Sequence, residues 1–243
     1  MTRLYIPEGV PVHGRCELRA EDAHYLVRVL RVQPGARVTL FDGRGGEYPA
    51  EVLAVGKGAV TLQAGPRADV VRESPLTLHV AQSLSSGDRM DYTIQKAVEL
   101  GATSIQPVAT ERSVVHLSGE RATRRIAHWQ AVAAAACAQC GRNVVPTIAP
   151  VLGYAAWLAA LGAPAGDCRL MMSPAAGVRL RELPPPTGTV WLLCGPEGGL
   201  TPIEEQLAAH AGFTALNLGP RVLRTETAAV AALAAMQALW GDA

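Results

Sequence analysis

Two segments of the chain combine glycines with charged side chains in an order that suits the binding of a small ligand. The first reads GPEGG at residues 195–199 and follows the apolar run VWLLC. The second reads GPRVLRTET at residues 219–227 and follows another apolar run. Glycines allow positive φ angles and let a ligand approach the backbone closely. Both segments therefore predict ligand-binding loops, with a simple tight turn as the alternative for the first.

The second of these loops also places two cations at an unusual position. Arg221 and Arg224 stand directly before a predicted helix, where the helix macrodipole already repels positive charge. We therefore expect an anionic or electron-rich group near them, with two solvated loop arginines as the alternative. The dinucleotide fingerprint GxGxxG does not occur in the sequence. Its absence argues against a nicotinamide or flavin enzyme.

Alternating strands and helices are predicted to position both loops. From residue 76 onward, apolar runs alternate with segments of helical spacing, which predicts a parallel sheet covered by helices on both faces. Ligands bind beyond the carboxyl ends of strands in such sheets, and both glycine loops follow predicted strands. The predicted strands are 77–83, 104–109, one near 147, 169–172, 189–194 and 213–218, and the predicted helices are 88–100, 119–139, 154–161, 202–211 and 226–239.

Residues 1–72 have a different pattern and predict a small β-rich domain. Short apolar runs bounded by turn residues predict its strands, and helical spacing of apolar residues predicts one helix at about 20–32. A compact barrel fits this pattern. The polar segment 66–75 is typical of a linker. The predicted strands of this domain are 3–6, 37–41, 48–55 and 59–63.

Composition places few limits on function. The net charge is only +1, so charge alone does not mark a nucleic-acid binder. Nearly all cations are arginine, which suits phosphates and base edges, although a GC-rich genome gives the same bias. No apolar run approaches the about 20 residues that a membrane span needs, and the first residues do not resemble a signal peptide. We therefore expect a cytoplasmic protein that does not enter a membrane.

The cysteines do not predict a disulfide framework or a metal site. The chain has five cysteines, an odd number scattered along the sequence. Cys137 and Cys140 form one CxxC pair, but no second pair or spaced histidine pair completes a zinc site. The pair also ends an alanine-rich helical segment instead of following a strand, which disfavours a redox role. We therefore expect no metal.

The two glycine-and-arginine segments together are specific enough to resemble a known family. LCGPEGGL at residues 193–200 and LNLGPRVLRTETA at residues 216–228 resemble the SPOUT superfamily of S-adenosylmethionine (SAM)-dependent RNA methyltransferases. Within it, the similarity is to the RsmE family and extends over almost the whole chain. Ala138 departs from the glutamate that this family often has there. The other matching segments are HYLVRVLR at 24–31, LFDG at 40–43, QKAVELG at 95–101, ERS at 111–113 and CAQCGR at 137–142.

The resemblance implies an architecture that the patterns alone do not supply. It implies a PUA-like RNA-binding β-barrel at residues 1–72 and an α/β SPOUT domain at residues 73–243, whose C-terminal part forms a trefoil knot. Threaded chains are rare exceptions to the usual topology rules, so periodicity alone predicts an open sheet instead. The family is also homodimeric, with its sites at the subunit interface.

The resemblance further implies a reaction and a cofactor. The family methylates N3 of a uridine in 16S rRNA (uridine 1498 in the family's usual rRNA numbering), giving m3U and S-adenosylhomocysteine. SAM is expected to lie bent in the knot, held mainly by backbone groups. The cofactor-binding residues that we predict on this basis are Met172, Ser173, Leu193, Gly195, Glu197, Gly198, Gly199, Leu216, Leu218, Gly219, Leu223 and Thr225.

Three residues are predicted to act on the uracil. Arg224 would stabilise the negative charge that develops on the uracil oxygens as N3 loses its proton, with Arg221 as a second candidate for the same role. Glu226 would either accept that proton or orient Arg224, and a helix N-terminus, which disfavours protonation of a carboxylate, favours the orienting role. Glu197 would either pair with the cationic cofactor or cap a turn.

RNA contacts are expected from cations in both domains, because phosphate contacts set the position of the RNA while an extruded base is read in the pocket. The substrate is expected to be 16S rRNA within the small ribosomal subunit, with free rRNA as the alternative. Two other functions stay open: a ribose 2′-O-methyltransferase of the same superfamily, and a non-catalytic RNA-binding module. The predicted RNA-binding residues are Arg3, Arg28, Arg31, Lys96, Arg112 and Arg142.

Overall fold

In the computed structural model, the chain forms two compact units. The first comprises Met1–Glu73 and Cys137–Val145, and the second comprises Ser74–Ala136 and Pro146–Ala243. The short segment 137–145 therefore belongs with the N-terminal residues. Within these units, the structure describes residues 2–19, 23–56, 58–163, 166–175 and 177–243.

The first unit is built on a small five-stranded sheet with the strand order β1-β3-β4-β5-β2. The β1–β3 pair is parallel and the other pairs are antiparallel. Side chains alternate between buried and exposed along β4, as expected for a strand with one face on a core. Its strands are β1 (Arg3–Tyr5), β2 (Arg15–Arg19), β3 (Arg37–Phe41), β4 (Tyr48–Val55) and β5 (Ala59–Ala64).

Two features of this unit differ from the sequence prediction. Strand β2 was not predicted, because its sequence RCELR has a charge at every second position and only two apolar residues between them. The predicted helix at about 20–32 is replaced by a π-helical segment over Tyr25–Val29, and residues 20–22 of that prediction lie outside the described residues. Leu26 of this segment is fully buried in the core. Arg31, with a φ of 51°, adopts a conformation that a continuing helix does not allow.

The second unit contains an eight-stranded parallel sheet with the order β11-β13-β10-β12-β6-β7-β8, in which β9 also pairs with β7. Its central strands β6 and β12 are buried along most of their length, as is typical of a parallel sheet with helices on both faces. The strands are β6 (Leu78–Ser83), β7 (Ser104–Ala109), β8 (Thr147–Ile148), β9 (Leu152–Gly153), β10 (Cys168–Met172), β11 (Val178–Arg179), β12 (Val190–Cys194) and β13 (Thr214–Asn217).

Five α-helices accompany this sheet, close to the predicted positions. Among the described residues, none of them is long and apolar enough to cross a membrane. A short 3₁₀ turn over Leu180–Glu182 was not predicted. The helices are α1 (Arg89–Glu99), α2 (Gly119–Cys140), α3 (Tyr154–Leu161), α4 (Pro202–His210) and α5 (Thr225–Trp240).

The starts of the last two helices differ in how they are capped. At α4, the Thr201 hydroxyl accepts a hydrogen bond from the Glu204 amide, and the Glu204 carboxylate accepts one from the Thr201 amide. This pair of reciprocal bonds is a capping box. At α5, the N-cap is Arg224, without a side-chain cap hydrogen bond. The next residue, Thr225, has a side chain suited to capping, but its hydroxyl bonds to the Gly195 carbonyl and to Gln82 instead.

The predicted fold class, a parallel-sheet α/β unit preceded by a small β unit, is confirmed. The parallel pairing also aligns the strand ends that matter for function. Cys194 of β12 lies opposite Gln82 of β6, and Met172 of β10 lies opposite Leu216 of β13. Because β10 also pairs with β12, the segments that follow all four strands meet at one edge of the sheet. The trefoil knot stays a prediction from the resemblance.

Candidate active site

A cavity of about 570 Å³ lies at this edge of the sheet, within the about 300–1,000 Å³ typical of cofactor sites. Its walls come from the segments after β10, β12 and β13, the start of α5, and single residues of α1, α4 and the segment after β7. Both glycine loops predicted to bind a ligand therefore contribute to one cavity.

Most of the predicted site residues lie in the wall of this cavity. Leu193 is different, since it lies inside β12 with a fully buried side chain. All three residues predicted to act on the uracil line the cavity: Arg221, Arg224 and Glu226. The predicted cofactor-binding residues that line it are Met172, Ser173, Gly195, Glu197, Gly198, Gly199, Leu216, Leu218, Gly219, Leu223 and Thr225.

Glycine is required in these loops for two separate reasons. Gly199 and Gly219 have φ angles of 70° and 121°, which residues with a Cβ rarely adopt. A Cβ added at either residue would meet no atom within 4 Å. At Gly198, in contrast, an added Cβ would lie 3.3 Å from Cβ of Arg112. The first two glycines therefore shape the loops, while the third makes room for a neighbouring side chain.

Thr225 connects the glycine loop after β12 to the start of α5. Its hydroxyl donates a hydrogen bond of 2.5 Å to the Gly195 carbonyl and accepts one of 2.9 Å from Nε2 of Gln82. Both Thr225 and Gln82 are buried, where a hydrogen bond is poorly screened by water. These two bonds hold the ends of β6 and β12 against α5, directly under the cavity.

Arg89, in the first turn of α1, was not predicted as a site residue. Its Nη1 lies 2.6 Å from Oε1 of Glu197 and 3.0 Å from the hydroxyl of Ser86, and its Nε lies 3.8 Å from Oε1 of Glu226. The arginine thus stands between carboxylates of the two glycine-containing loops. One signal was available in the sequence, since the segment 84–89 follows a predicted parallel strand, where ligand-binding residues collect.

Glu197 is held in its charged form. Burial acts to raise the pKa of its carboxyl, but hydrogen bonds from the Ser86 amide and hydroxyl and from Arg89 outweigh burial and lower that pKa. The Ser86 amide and hydroxyl lie 2.9 and 3.0 Å from Oε1 of Glu197. In the described part of the chain, Glu197 therefore pairs with α1 and the segment before it.

Glu226 keeps one buried oxygen without a partner. Its Oε2 has no hydrogen bond among the described residues, and its side chain is only 14% exposed. Buried polar atoms are nearly always hydrogen-bonded. An unpartnered carboxylate oxygen in a cavity wall is therefore suited to accept a hydrogen bond from a ligand. Glu226 is therefore poised to accept a hydrogen bond inside the cavity.

Of the predicted RNA-binding residues, only Arg112 lines the cavity, and its Nη1 donates a 3.1 Å hydrogen bond to the Gly198 carbonyl. Arg28 and Arg31 are exposed in the first unit. Lys96 is bound by Glu99 of its own helix at 2.8 Å. Roles of these residues in RNA binding stay predictions.

The two remaining arginines of that set take part in a network within the first unit. Nη1 of Arg3 lies 2.5 Å from Oε2 of Glu47, and Nη2 of Arg142 lies 2.7 Å from Oε2 of Glu73. The Arg3 side chain is 10% exposed and that of Arg142 is 7% exposed. Their charges are therefore matched inside the unit, and RNA contact by either stays a prediction.

The CxxC pair lies apart from the cavity walls. Cys137 is buried and Cys140 is half-buried, and both are free thiols. Burial raises the pKa of the Cys137 thiol to about 12, which disfavours the thiolate needed for metal binding. Across the residues that the structure describes, no cluster of three or more potential metal ligands occurs.

Two family models match the chain. The RNA methyltransferase domain matches residues 72–237, and the RNA methyltransferase PUA domain matches residues 18–64. The first match alone covers more than half of the chain and includes every loop of the cavity.

Whole-length relatives carry a common name. Ribosomal RNA small subunit methyltransferase E from Buchnera aphidicola is 30% identical, with 99% of this chain and 94% of the relative covered. The protein of the same name from Synechocystis is 33% identical over 98% of this chain and 77% of its own. The crystal structure of a ribosomal RNA small subunit methyltransferase E from Neisseria gonorrhoeae, bound to SAM, is 44% identical and superposes with a TM-score of 0.91, covering 100% of this chain and 99% of that one.

Proposed function

The chain belongs to the family of ribosomal RNA small subunit methyltransferase E, and on that premise we propose that it transfers a methyl group from SAM to N3 of a uridine in 16S rRNA. The coarser activity, SAM-dependent methylation of rRNA, follows from family membership. The position on the base is the finer part of the proposal. The observation that carries it is the cavity in which Arg224 and Glu226 stand beside both glycine loops.

The cavity fits SAM in size and in chemistry. Its volume of about 570 Å³ suits a cofactor, and the open space around Gly199 and Gly219 lets a ligand lie against the backbone. Leu218 and Leu223 offer apolar surface to an adenine ring. The unpartnered oxygen of Glu226 offers an acceptor to a cationic ligand or to a base.

The residues of the chain act mainly by position and charge. Bound SAM supplies an electrophilic methyl group. The guanidinium of Arg224, an exposed residue of the cavity wall, would stabilise the anionic uracil as its N3 proton leaves, because a nearby cation stabilises negative charge that develops on the uracil oxygens. Oε2 of Glu226 is the acceptor placed for that proton or for a hydrogen bond from the base. The other carboxylate oxygen of Glu226, Oε1, lies 3.8 Å from Nε of Arg89, and this ion pair limits the motion of the Glu226 side chain.

The proposed assembly is a homodimer that acts in the cytoplasm on 16S rRNA within the small ribosomal subunit. Exposed apolar side chains in the second unit support association: Ile203 and Leu207 occupy one face of α4, at 67% and 43% exposure, and Val222 beside the cavity is 80% exposed. Apolar groups this exposed are typical of surfaces that bind a partner. Light scattering is expected to give the mass of two chains.

The product on rRNA tests the proposed chemistry. Small subunits that lack the modification are incubated with the protein and SAM, and the methyl group is mapped by mass spectrometry of nuclease fragments. We expect one N3-methyluridine in 16S rRNA. A ribose 2′-O-methyl product would contradict the N3 assignment and support the other SPOUT reaction. Absence of SAM binding by calorimetry would instead indicate a non-catalytic RNA-binding module.

A further inference from the structure

The first turns of α2 carry three arginines and a histidine that the proposed reaction does not use. Arg121, Arg124, Arg125 and His128 are spaced i, i+3, i+4 and i+7, so they share one face of the helix. This face, which we name the α2 basic stripe, is about 10 Å long at the rise of an α-helix. Arg121 and Arg124 are exposed, and His128 has 45% of its side chain exposed.

Two members of the stripe carry charges that the second unit leaves unmatched. In the described part of the chain, neither the Arg121 side chain nor the Arg124 side chain has a hydrogen bond or a carboxylate within 4 Å. The neighbouring carboxylates are Glu120, in the same helical turn, and Asp91 of α1, which is already bound to His128. Arginines near the start of a helix oppose its macrodipole. These charges therefore add nothing evident to the stability of α2 itself.

The helix that carries the stripe is fixed in place. The Trp129 ring is buried, and its Nε1 donates a 3.0 Å hydrogen bond to Oδ1 of Asp91. The other oxygen of Asp91 lies 2.6 Å from Nε2 of His128. The Arg125 guanidinium lies 5.7 Å from the centre of the Trp129 ring, which restricts its motion. The helix and the side chains of Arg125 and His128 are therefore held in place, while the side chains of Arg121 and Arg124 are exposed.

A contact at one end and a chain segment at the other connect the stripe to residues of the candidate active site. Asp91, which holds His128, is two residues after Arg89 in α1, and Arg89 lines the cavity. At the other end, a short segment joins Arg121 to Arg112, which lines the cavity and bonds to the Gly198 carbonyl. The first turn of α1 therefore contacts both the cavity wall, through Arg89, and the helix that carries the stripe, through Asp91.

We infer that the α2 basic stripe binds the phosphate backbone of the rRNA beside the methylated nucleotide. The inference rests on the proposed function for the identity of the RNA. Guanidinium groups bind phosphate through paired N–H donors, and a row of them fixes the path of a strand without reading its sequence. An extruded base would enter the cavity while its neighbours are held by Arg121 and Arg124.

The test is the salt dependence of RNA binding. The probe is a 16S rRNA fragment that carries the target uridine, and the variant is Arg121→Gln/Arg124→Gln, which removes two exposed charges but keeps good helix formers. At about 100 mM salt we expect affinity to fall about tenfold, and the slope of log K against log salt to decrease by about 1.4, since each single-strand phosphate contact contributes about 0.7. SAM affinity should not change.

Two controls make the result specific. Arg181→Gln removes an exposed arginine that follows β11, on a different element from α2, and should leave the salt slope unchanged. Arg121→Lys/Arg124→Lys keeps both charges and should keep most of the affinity. An unchanged slope in the glutamine variant, an equal loss in Arg181→Gln, or no rescue by lysine would overturn the inference.

A further comparison separates RNA from an acidic protein as the partner. Polyglutamate of matched charge should compete with the RNA fragment only weakly, and equally strong competition would overturn the assignment to RNA. The binding readout does not depend on catalysis. If the protein fails to methylate 16S rRNA while the stripe variants still lose RNA affinity, the proposed reaction is wrong and the docking surface stands.

Discussion

The guanidinium of Arg89 and the carboxylate of Glu197 lie 2.6 Å apart, although 108 positions separate them in the sequence. Arg89 begins helix α1, and Glu197 is the one charged residue of the GPEGG loop. The contact joins the GPEGG loop in the cavity wall to the first turn of α1. It also gives Glu197 a cationic partner within the protein. A bound cation would therefore share this carboxylate with Arg89.

Replacing Arg89 with glutamine is expected to weaken SAM binding, because the GPEGG loop loses its anchor to α1. Both side chains are partly exposed, so the coupling between Arg89→Gln and Glu197→Gln in a double-mutant cycle should be only about 1 kcal/mol. Calorimetric SAM affinities of the wild type, both single variants and the double variant give this coupling. Additive losses would show that the ion pair does not hold the loop.

Alanine in place of Arg224 should separate catalysis from cofactor binding. If Arg224 stabilises charge on the uracil, turnover is expected to fall about 100-fold while SAM affinity changes little. Single-turnover methylation of rRNA and SAM calorimetry measure the two effects. Arg221→Ala serves as the matched control and should retain more activity. Equal losses of turnover and SAM affinity in Arg224→Ala would refute its role in the reaction.

A valine at Gly198 should disturb the site through Arg112. The added Cβ would lie 3.3 Å from Cβ of Arg112, so either the loop or the arginine must move, at a typical cost of about 1–3 kcal/mol. SAM affinity should then fall about tenfold or more. Gly153→Ala is the control, because its added methyl group meets no atom within 4 Å. Normal SAM binding by Gly198→Val would rule out this close contact as a constraint.

Glu47 is expected to make the first unit sensitive to acid. The pKa of Glu47 is lowered from 4.5 to about 2, chiefly by the hydrogen bond from Arg72. Burial acts to raise this pKa, and the hydrogen bond and positive charge of Arg3 lower it further. A carboxyl with a lowered pKa stabilises the folded state above its unfolded pKa. That contribution is lost as the pH falls from about 4.5 towards 2. Allowing for the exposure of Arg72, we expect it to be about 2 kcal/mol.

Urea unfolding at several pH values measures this contribution. At neutral pH, Glu47→Gln should be less stable than the wild type by about 2 kcal/mol, and the difference should shrink as the pH falls below 4.5. The control is Asp69→Asn, since Asp69 pairs with Arg67 at the surface and is 81% exposed. If the difference in unfolding free energy between Glu47→Gln and the wild type did not change with pH, this result would contradict the lowered pKa of Glu47.

The sequence predicts the longer elements of the fold well and the short ones poorly. The strand 104–109 and the helix 154–161 were predicted with the bounds that the structure has, because apolar periodicity and flanking turn residues define them. Strands β9 and β11 have two residues each, too few for any periodicity. Pairing with a neighbouring strand, which the local sequence does not encode, creates them.

The sequence predicts those site residues that belong to a recognisable local motif. It misses those that only the order of the strands brings to the site. Glycines and arginines after β12 and β13 are recognisable from their own segments. Gln82, Ser86 and Arg89 take part only because β6 lies beside β12. The helix start shows the same limit: Thr225 has the side chain of a good cap, but the Gly195 carbonyl and Gln82 compete for its hydroxyl.

The bond between Gln82 and Thr225 joins residues 143 positions apart. Contacts between residues so far apart in the sequence close large loops and form late in folding. A folding intermediate in which α5 is not yet docked therefore has no complete cavity. SAM should then bind the native state selectively, and at 100 times its dissociation constant it should stabilise the protein by about 2.7 kcal/mol. The stoichiometry of cofactor binding therefore measures how much of a preparation is correctly folded.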